Sequence, residues 1–266
     1  MNDLVIHTEN LKKNYQKGHE QLEVLKGIDL SIHTGEIIGY LGSNGAGKST
    51  TVKILCGLLQ DFEGDAHVLG YDLKTHNLEI KQRIGYIPEN AVMYEQLSPM
   101  EYLEFIGTLY GMPVPLARER ATLLLSLFEM SSQVNQRIVS FSKGMKQKIH
   151  IISGLLHNPD LIFMDEPLNG LDANAVIIVK EIMSQLVKEG KTIFYCSHLM
   201  DVVEKIASRI ILLNDGVIVA DGTVEALKEQ ANASSLEMFF SKLTGGSAMP
   251  DKTEQIIDAF EKKEND

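Results

Sequence analysis

The first sixty residues combine short apolar runs with a glycine-rich loop. Alternating and continuous apolar positions predict four strands, at 4–8, 22–25, 28–32 and 36–41. Glycines follow the fourth strand, and apolar residues between 49 and 59 then recur at helical spacing. The chain is therefore expected to open with a sheet and to continue through a strand, a loop and a helix.

The apolar pattern becomes helical between about 92 and 157. Ser98 and Glu101 match a capping box, and Pro99 stands at the first helical position, so a helix is predicted to begin there. A second helix is predicted at 116–130, and Ser142 can cap a third that ends near 156. Three consecutive helices are expected in this region.

Strand patterns return after residue 160. Apolar runs at 161–164 and 192–196 flank an amphipathic segment at 173–188, and this βαβ alternation predicts an α/β fold with a mostly parallel sheet. Two more apolar runs, at 209–213 and 217–220, flank an Asn-Asp-Gly turn and predict a hairpin. Beyond residue 243 the chain turns polar, and a Thr-Gly-Gly-Ser break precedes a charged segment that is expected to form a final helix.

Composition narrows the classes of protein. The 266 residues are 44% hydrophobic and carry a formal net charge of −11, as in globular proteins rather than disordered ones. The apolar runs are too short to cross a bilayer, and the first residues lack the features of a signal peptide, so a cytoplasmic location is expected. Cys56 and Cys196 are interpreted as buried thiols, and the acidic balance argues against a nucleic-acid partner.

Residues 42–49 match the phosphate-loop pattern G-x-x-x-x-G-K-[ST]. Its glycines let backbone N–H groups converge on phosphate oxygens, and the following helix directs the positive end of its dipole at them. Lys48 is expected to reach the β- and γ-phosphates, and Ser49 to bind Mg²⁺. The candidate nucleotide-binding residues here are Gly42, Ser43, Asn44, Gly45, Ala46, Gly47, Lys48, Ser49 and Thr50.

The second candidate site is an apolar strand at 161–164 that ends in two carboxylates, Asp165 and Glu166. A buried parallel strand delivers its carboxyl end to the ligand crevice of the sheet. Asp165 is therefore expected to hold Mg²⁺, directly or through water, while Glu166 faces the water that attacks the phosphate.

With these two motifs the chain resembles the ATP-binding cassette of an ABC transporter over about residues 4–230. Four further matches support the resemblance: 142–145 at the signature motif, 169–172 at the D-loop, His198 at the switch histidine and Tyr15 at the adenine-stacking aromatic. It implies a P-loop NTPase core with a mostly parallel sheet, an antiparallel β subdomain and an inserted helical subdomain at about 92–157. Residues 231–266 would form a helical tail.

The resemblance also implies a mechanism. Two cassettes pair head to tail, each ATP lying between one phosphate loop and the Ser142 and Gly144 region of the other copy, while Asp172 links the two sites. Glu166 acts as general base, and Lys48 and His198 stabilise the γ-phosphate. The cassette works peripherally on the inner face of the membrane, where an apolar patch near 94–102 would receive a permease subunit.

Two departures from the commonest family pattern refine this expectation. Lys143 and Met145 replace Gly and Gln in the signature, and Glu89 replaces the Q-loop glutamine. Glu89 keeps an oxygen that could approach Mg²⁺ or the lytic water, but its charge adds to Asp165 and Glu166. Both variants resemble a bacterial exporter-type, ABC-2-like subgroup whose cassettes serve separately encoded permeases.

Alternatives remain open for single residues and for the whole chain. Tyr15 could simply pack on the sheet, His198 could be a surface or core residue, and Lys146 and Lys148 are interpreted as lining a solvated face. The other candidate function is a non-transport ABC ATPase. Chromosome-maintenance and repair members carry a long coiled coil before the signature, whereas here the phosphate loop and the signature are close in sequence. A P-loop kinase would not explain the later motifs.

Overall fold

The computed structural model describes residues 4–18, 20–89, 92–230 and 232–243. The strands are β1 (Leu4–Lys17), β2 (Glu20–His33), β3 (Ile37–Gly42), β4 (Glu63–Val68), β5 (Tyr71–Asp72), β6 (Ile84–Ile87), β7 (Leu161–Asp165), β8 (Thr192–Ser197), β9 (Arg209–Asn214) and β10 (Val217–Gly222). The helices are α1 (Lys48–Leu55), α2 (Asn77–Lys81), α3 (Pro99–Leu109), α4 (Val114–Leu127), α5 (Lys143–Leu155), α6 (Ala173–Lys188), α7 (Met200–Ile206), α8 (Val224–Gln230) and α9 (Leu236–Leu243).

A six-stranded, mostly parallel sheet forms the core, in the order β10-β9-β3-β8-β7-β6. Strands β9, β3, β8, β7 and β6 pair in parallel, and β10 returns antiparallel to β9 through the predicted hairpin. Every residue of β3, β7 and β8 is buried, as expected for parallel strands covered on both faces. The carboxyl ends of these strands therefore meet at one edge of the sheet.

A second, antiparallel sheet has the order β2-β1-β4-β5. The strand predicted at 4–8 in fact continues to Lys17, and the two predicted at 22–25 and 28–32 are one strand, Glu20–His33. Several irregularities in register interrupt the β1–β2 pairing, so the alternation of apolar residues is lost while the backbone hydrogen bonds continue. Apolar periodicity alone therefore underestimated both strands.

Three strands were not predicted from the sequence, β4, the two-residue β5 and β6, and neither were the short helices α2, α7 and α8. The residues of β4 are mostly polar, since Glu63, Gly64, Asp65 and His67 stand in a six-residue strand. It forms because it pairs with β1 of the antiparallel sheet, and its own sequence does not favour it. Short strands of this kind are specified by their neighbours.

Helices α3, α4 and α5 lie between β6 and β7 in the chain and pack on one another. The capping box of α3 is confirmed: the Ser98 hydroxyl accepts from the Glu101 N–H, and the Glu101 carboxylate accepts from the Ser98 N–H at 2.8 Å. The predicted second helix is displaced toward the N-terminus, and Ser142 caps α5 as expected. The predicted helix at 49–59 ends earlier, at Leu55.

The last described elements, α8 and α9, pack on each other, and α9 also packs on α7. The final charged helix expected after residue 247 lies outside the described residues. Cys56 and Cys196 are buried free thiols as predicted, and burial raises the pKa of each. Among the described residues, no helix has the length and apolarity needed to cross a membrane.

Candidate active site

The phosphate loop connects the carboxyl end of β3 to the first residue of α1, Lys48. Gly47, directly before the helix, has a φ of 112°, a conformation that residues with a side chain rarely adopt. A Cβ there would also approach within 2.6 Å of the Leu25 side chain. Glycine at this position lets the loop turn into the helix and leaves the first N–H groups of α1 free for a ligand.

Lys48 is buried at the base of this loop. Its Nζ donates hydrogen bonds to the carbonyl oxygens of Gly42, at 2.7 Å, and Ser43, at 3.1 Å. The ammonium group therefore lies inside the loop that it belongs to. Together with the N-terminal end of α1, it makes this part of the structure attractive to an anion.

A cleft of about 340 Å³ opens beside the loop. It brings the phosphate loop together with both carboxylates from the end of β7 and with Glu89, which are distant in sequence. The residues that line it are Leu22, Val24, Asn44, Gly45, Gly47, Lys48, Ser49, Thr50, Glu89, Asp165 and Glu166. The cleft therefore combines a cationic loop with three carboxylates.

Asp165 is buried at the end of β7 and accepts a hydrogen bond from the Ser49 side chain. Burial raises the pKa of Asp165, and the neighbouring charges of Glu166 and Glu89 raise it further, while Lys48 opposes them. Burial and the neighbouring carboxylates disfavour the negative charge of Asp165, and a divalent cation would neutralise that charge.

The oxygen donors of Asp165 and Ser49 fit Mg²⁺, which is usually held by one or two protein groups together with substrate phosphates and water. Among the described residues, no cluster of three His, Cys, Asp or Glu side chains could hold a metal by itself. Asp165 and Ser49 therefore fit a cation whose remaining ligands are phosphate oxygens and water.

Glu166 is held by three hydrogen bonds from the end of β8. Its Oε2 accepts from the Ser197 hydroxyl at 2.9 Å, and its Oε1 accepts from the His198 N–H at 2.8 Å. The His198 ring nitrogen Nδ1 lies 2.6 Å from the same Oε1. The carboxylate, which lines the cleft, is thereby fixed next to a half-exposed histidine.

The backbone of Glu166 is in the left-handed region, with a φ of 50°, although the residue is not glycine. Its N–H donates to the Cys196 carbonyl at 2.9 Å, so the neighbouring strand holds this conformation in place. A strained backbone that the surrounding structure enforces is typical of functional sites.

Ser197 was not identified from the sequence. It is fully buried at the end of β8, and its hydroxyl also accepts from the Leu199 N–H at 3.0 Å. Its position along the chain was the one indication of a functional role: it ends a strand next to the one that carries Asp165, and it precedes His198. A serine at such a point can orient a carboxylate on the adjacent strand.

The other predicted residues lie outside this cleft. Ser142 caps α5 by accepting from the Met145 N–H at 3.2 Å, and Asp172 caps α6 by accepting from the Ala175 N–H at 2.9 Å. A Cβ on Gly144 would overlap the Gly170 carbonyl oxygen, so α5 and the loop before α6 are in close contact. In a single chain, these residues do not meet the phosphate loop.

The interpretation of Lys148 as a solvated residue was wrong. Its Nζ lies 2.8 Å from Asp172 Oδ2, and only 13% of its side chain is exposed. Lys146 likewise pairs with Glu95, at 2.7 Å. Helical periodicity could not reveal either ion pair, because the partners are 24 and 51 residues away in the chain.

Tyr15 lines a neighbouring cleft of about 250 Å³, and its ring carries the Lys13 ammonium 5.0 Å from its centroid. It is not among the residues that line the phosphate-loop cleft, although its β-sheet partner Leu22 is. The expectation that Tyr15 stacks on adenine stays a prediction.

The fold and the cleft define a P-loop nucleotide hydrolase, with a cationic loop and an acidic strand end at the edge of a parallel sheet. The ABC transporter family pattern matches residues 25–169, and the chain belongs to this family as an ATP-hydrolysing, ATP-binding subunit.

Similarity to individual proteins supports this assignment. The ABC transporter ATP-binding protein NatA of Bacillus subtilis is 35% identical over 88% of this chain and 96% of its own length. The linearmycin resistance ATP-binding protein LnrL of the same organism is 37% identical over 82% of this chain and 69% of its own. The solved dimeric, post-hydrolysis ATP-binding cassette MJ0796 with ADP and Pi has a TM-score of 0.76 and 25% identity, covering 82% of this chain and 98% of its own.

Proposed function

We propose that this chain powers export through a separately encoded membrane permease, by closing on ATP as a pair of cassettes and reopening after hydrolysis. The observation that carries the ATP-hydrolysing part of the proposal is the cleft that the phosphate loop lines together with Asp165, Glu166 and Glu89. Residues 4–230 form the ATPase unit, 92–157 its inserted helical subdomain, and 231–266 a tail.

The proposed reaction is in-line attack of water on the γ-phosphate, in which positioning and charge neutralisation supply most of the acceleration. Glu166 polarises the water as general base, since its carboxylate lines the cleft and is held there by Ser197 and His198. Lys48 and the loop N–H groups bind the phosphates. The His198 imidazole, half exposed beside Glu166, contacts the γ-phosphate.

Mg²⁺ would be held by Ser49 and Asp165, with Glu89 nearby, and it supplies charge neutralisation at the phosphates when bound. Glu89 is exposed and lines the cleft, so its carboxylate can approach either the cation or the attacking water. Thr50, at the N-terminal end of α1, also lines the cleft.

The second copy completes the site. Ser142 and Gly144 stand at the N-terminus of α5, whose first N–H groups and dipole suit a γ-phosphate that the same chain cannot bring to them. The solved cassette with ADP and Pi is dimeric, which supports the pairing of two copies. Moving such a pair from 1% to 99% closed requires about 5.5 kcal/mol of differential ATP affinity, which two shared nucleotides can provide.

Replacing the proposed base tests this function. Glu166→Gln should bind ATP, lower turnover by at least about a hundredfold and accumulate as a dimer that ATP holds together. Size-exclusion chromatography with and without ATP, together with phosphate release, measures both effects. Leu123→Gln, an exposed change on α4 away from the cleft, is the matched control and should behave as the wild type. Wild-type turnover in Glu166→Gln would refute the base assignment.

The permease would dock in an apolar groove of about 390 Å³ between the helical region and the core. Leu58 and Leu78 lie on the core side, and Ile106, Leu109 and Tyr110 belong to α3 and its end. Leu58, Leu78 and Leu109 are more than half exposed. None of residues 94–102, where the sequence suggested a patch, lines this groove, and Tyr102 is buried; Tyr94 is exposed and packs edge-on against Phe105 of α3. We also propose that the cassette works on the inner face of the membrane.

The resistance protein among its relatives supports export as the direction of transport. Leu78→Glu should reduce co-purification of the cassette with the permease from membranes while leaving soluble ATP turnover unchanged, because the charge would be buried by docking. Leu123→Glu introduces the same charge at a similarly exposed leucine outside the groove and should leave the complex intact. Equal recovery of permease with both variants would remove the groove from the proposal.

A further inference from the structure

The loop that joins β7 to α6, residues 166–172, is fastened to helix α5 of the same chain at three points. The Gln147 side chain donates to the Pro167 carbonyl at 3.0 Å. The Gly144 backbone packs so closely on Gly170 that no side chain fits between them. The Lys148 ammonium lies 2.8 Å from the Asp172 carboxylate.

The ion pair differs from an ordinary surface pair. Lys148 is largely buried, whereas 57% of the Asp172 side chain is exposed, so a buried lysine stem presents its charge to a carboxylate at the surface. The two oxygens of Asp172 have separate partners: Oδ1 caps α6 through the Ala175 N–H, and Oδ2 meets Lys148. Lys148 holds the pKa of Asp172 below its usual value.

The position of the Lys148–Asp172 ion pair indicates a role other than stabilising the fold. Ser142 at the start of α5 and Asp172 at the start of α6 are the two groups that the proposed pairing brings to the second copy. Ser142 and Asp172 cap different helices. Of the three contacts between α5 and the loop, the ion pair with Lys148 is the one that involves Asp172 directly. If the link were loose, each group would have to be positioned separately when ATP closes the pair.

We infer that Lys148 is a positioning residue that fixes Asp172 to α5, so that both cassette-pairing groups move as one unit; this rests on the proposed head-to-tail pairing. Lys148 lines no part of the phosphate-loop cleft. Its loss should therefore weaken ATP-driven pairing and turnover while leaving ATP binding by a single chain unchanged.

Lys146 offers a matched control on the same helix. It also makes an ion pair, but its partner Glu95 precedes α3 and is not part of the β7–α6 loop. Lys146→Gln removes an equal charge from α5 and breaks a pair of similar length, at 2.7 Å against 2.8 Å. The positioning role predicts that it leaves pairing unchanged.

The experiment compares Lys148→Gln, Asp172→Asn and the double variant in the full chain. Asparagine keeps the cap of α6 and removes only the charge. ATP affinity is measured at protein concentrations too low for pairing, the ATP-held dimer in a Glu166→Gln background, and turnover against ATP concentration. Each single change should lower dimer formation and turnover by at least about threefold, and the double variant should be no worse than either. Lys148→Arg, which keeps the charge, should restore most of the loss.

Three results would overturn the inference: Lys148→Gln pairs as the wild type does, the two single effects multiply in the double variant, or Lys146→Gln is equally impaired. A variant that loses ATP binding by the single chain would also contradict it, since the defect would then be general. If Glu166→Gln itself forms no ATP-held dimer, the proposed pairing fails, and that result is separate from any difference between Lys148 and Lys146.

Discussion

Glu166 and Asp172 lie six residues apart in the same loop, yet different kinds of partner hold them. Glu166 is held by consecutive residues at the end of the neighbouring strand: the Cys196 carbonyl, the Ser197 hydroxyl and the His198 N–H. Asp172 is held by a long side chain from helix α5. The register of the sheet therefore positions the first residue, while a contact between helices positions the second.

The comparison teaches where each kind of change should act. Disturbing the strand side should alter the chemical step, because these partners hold a carboxylate that lines the cleft. Disturbing the helix side should alter how two cassettes meet, because Asp172 lies outside the cleft and is largely exposed. Two substitutions, one on each side, can break or sharpen this distinction.

The larger effect is expected on the helix side, from Gly144→Ala. The added methyl group would overlap the Gly170 carbonyl, so either α5 or the loop must move. We expect turnover to fall at least about tenfold, with overpacking costing roughly 1–3 kcal/mol of unfolding free energy. Phosphate release and thermal unfolding measure the two effects. In the control Gly222→Ala, the new Cβ would lie 3.4 Å from Leu227, an ordinary contact, and activity should be kept. Full activity in Gly144→Ala would contradict the close packing.

The smaller effect is expected on the strand side, from Ser197→Ala. It removes one of the three bonds to Glu166 and should lower kcat by about three- to tenfold, in line with a hydrogen bond worth about 1 kcal/mol. KM for ATP should stay the same, since Ser197 does not line the cleft. Steady-state kinetics measure both.

Ser208→Ala is the control for the strand side. Its hydroxyl bonds both backbone groups of Ile37 at the opposite end of the sheet. This change should lower stability without lowering kcat. Equal kinetic losses in the two serine variants would show that the effect of Ser197 is general and not exerted on the carboxylate.

Much of the cleft could be predicted from the sequence because its motifs are local. The phosphate loop needs a strand, glycines and a helix in succession, and Asp165 and Glu166 follow an apolar strand directly. Each element combines a pattern with a chemical reason that lies within about ten residues. The parallel sheet, the hairpin after β9 and the capped helix α5 were predictable on the same grounds.

The remainder depended on contacts that are distant in the chain. Strand β4 has few apolar residues and exists because it pairs with β1. Ser197 and Lys148 act through partners 31 and 24 residues away, so their roles are invisible to periodicity. A polar residue on a helix or at a strand end has several possible partners, and only the fold selects one.

The left-handed backbone of Glu166 has a conformational cost that is set against the hydrogen bonds of its side chain. A non-glycine residue in a rarely populated backbone region costs of the order of 1–3 kcal/mol, which glycine would avoid. Glycine, however, has no carboxylate. Substitution by glycine would therefore relieve the backbone but give up the bonds from Ser197 and His198, and under the proposed mechanism it would also remove the base.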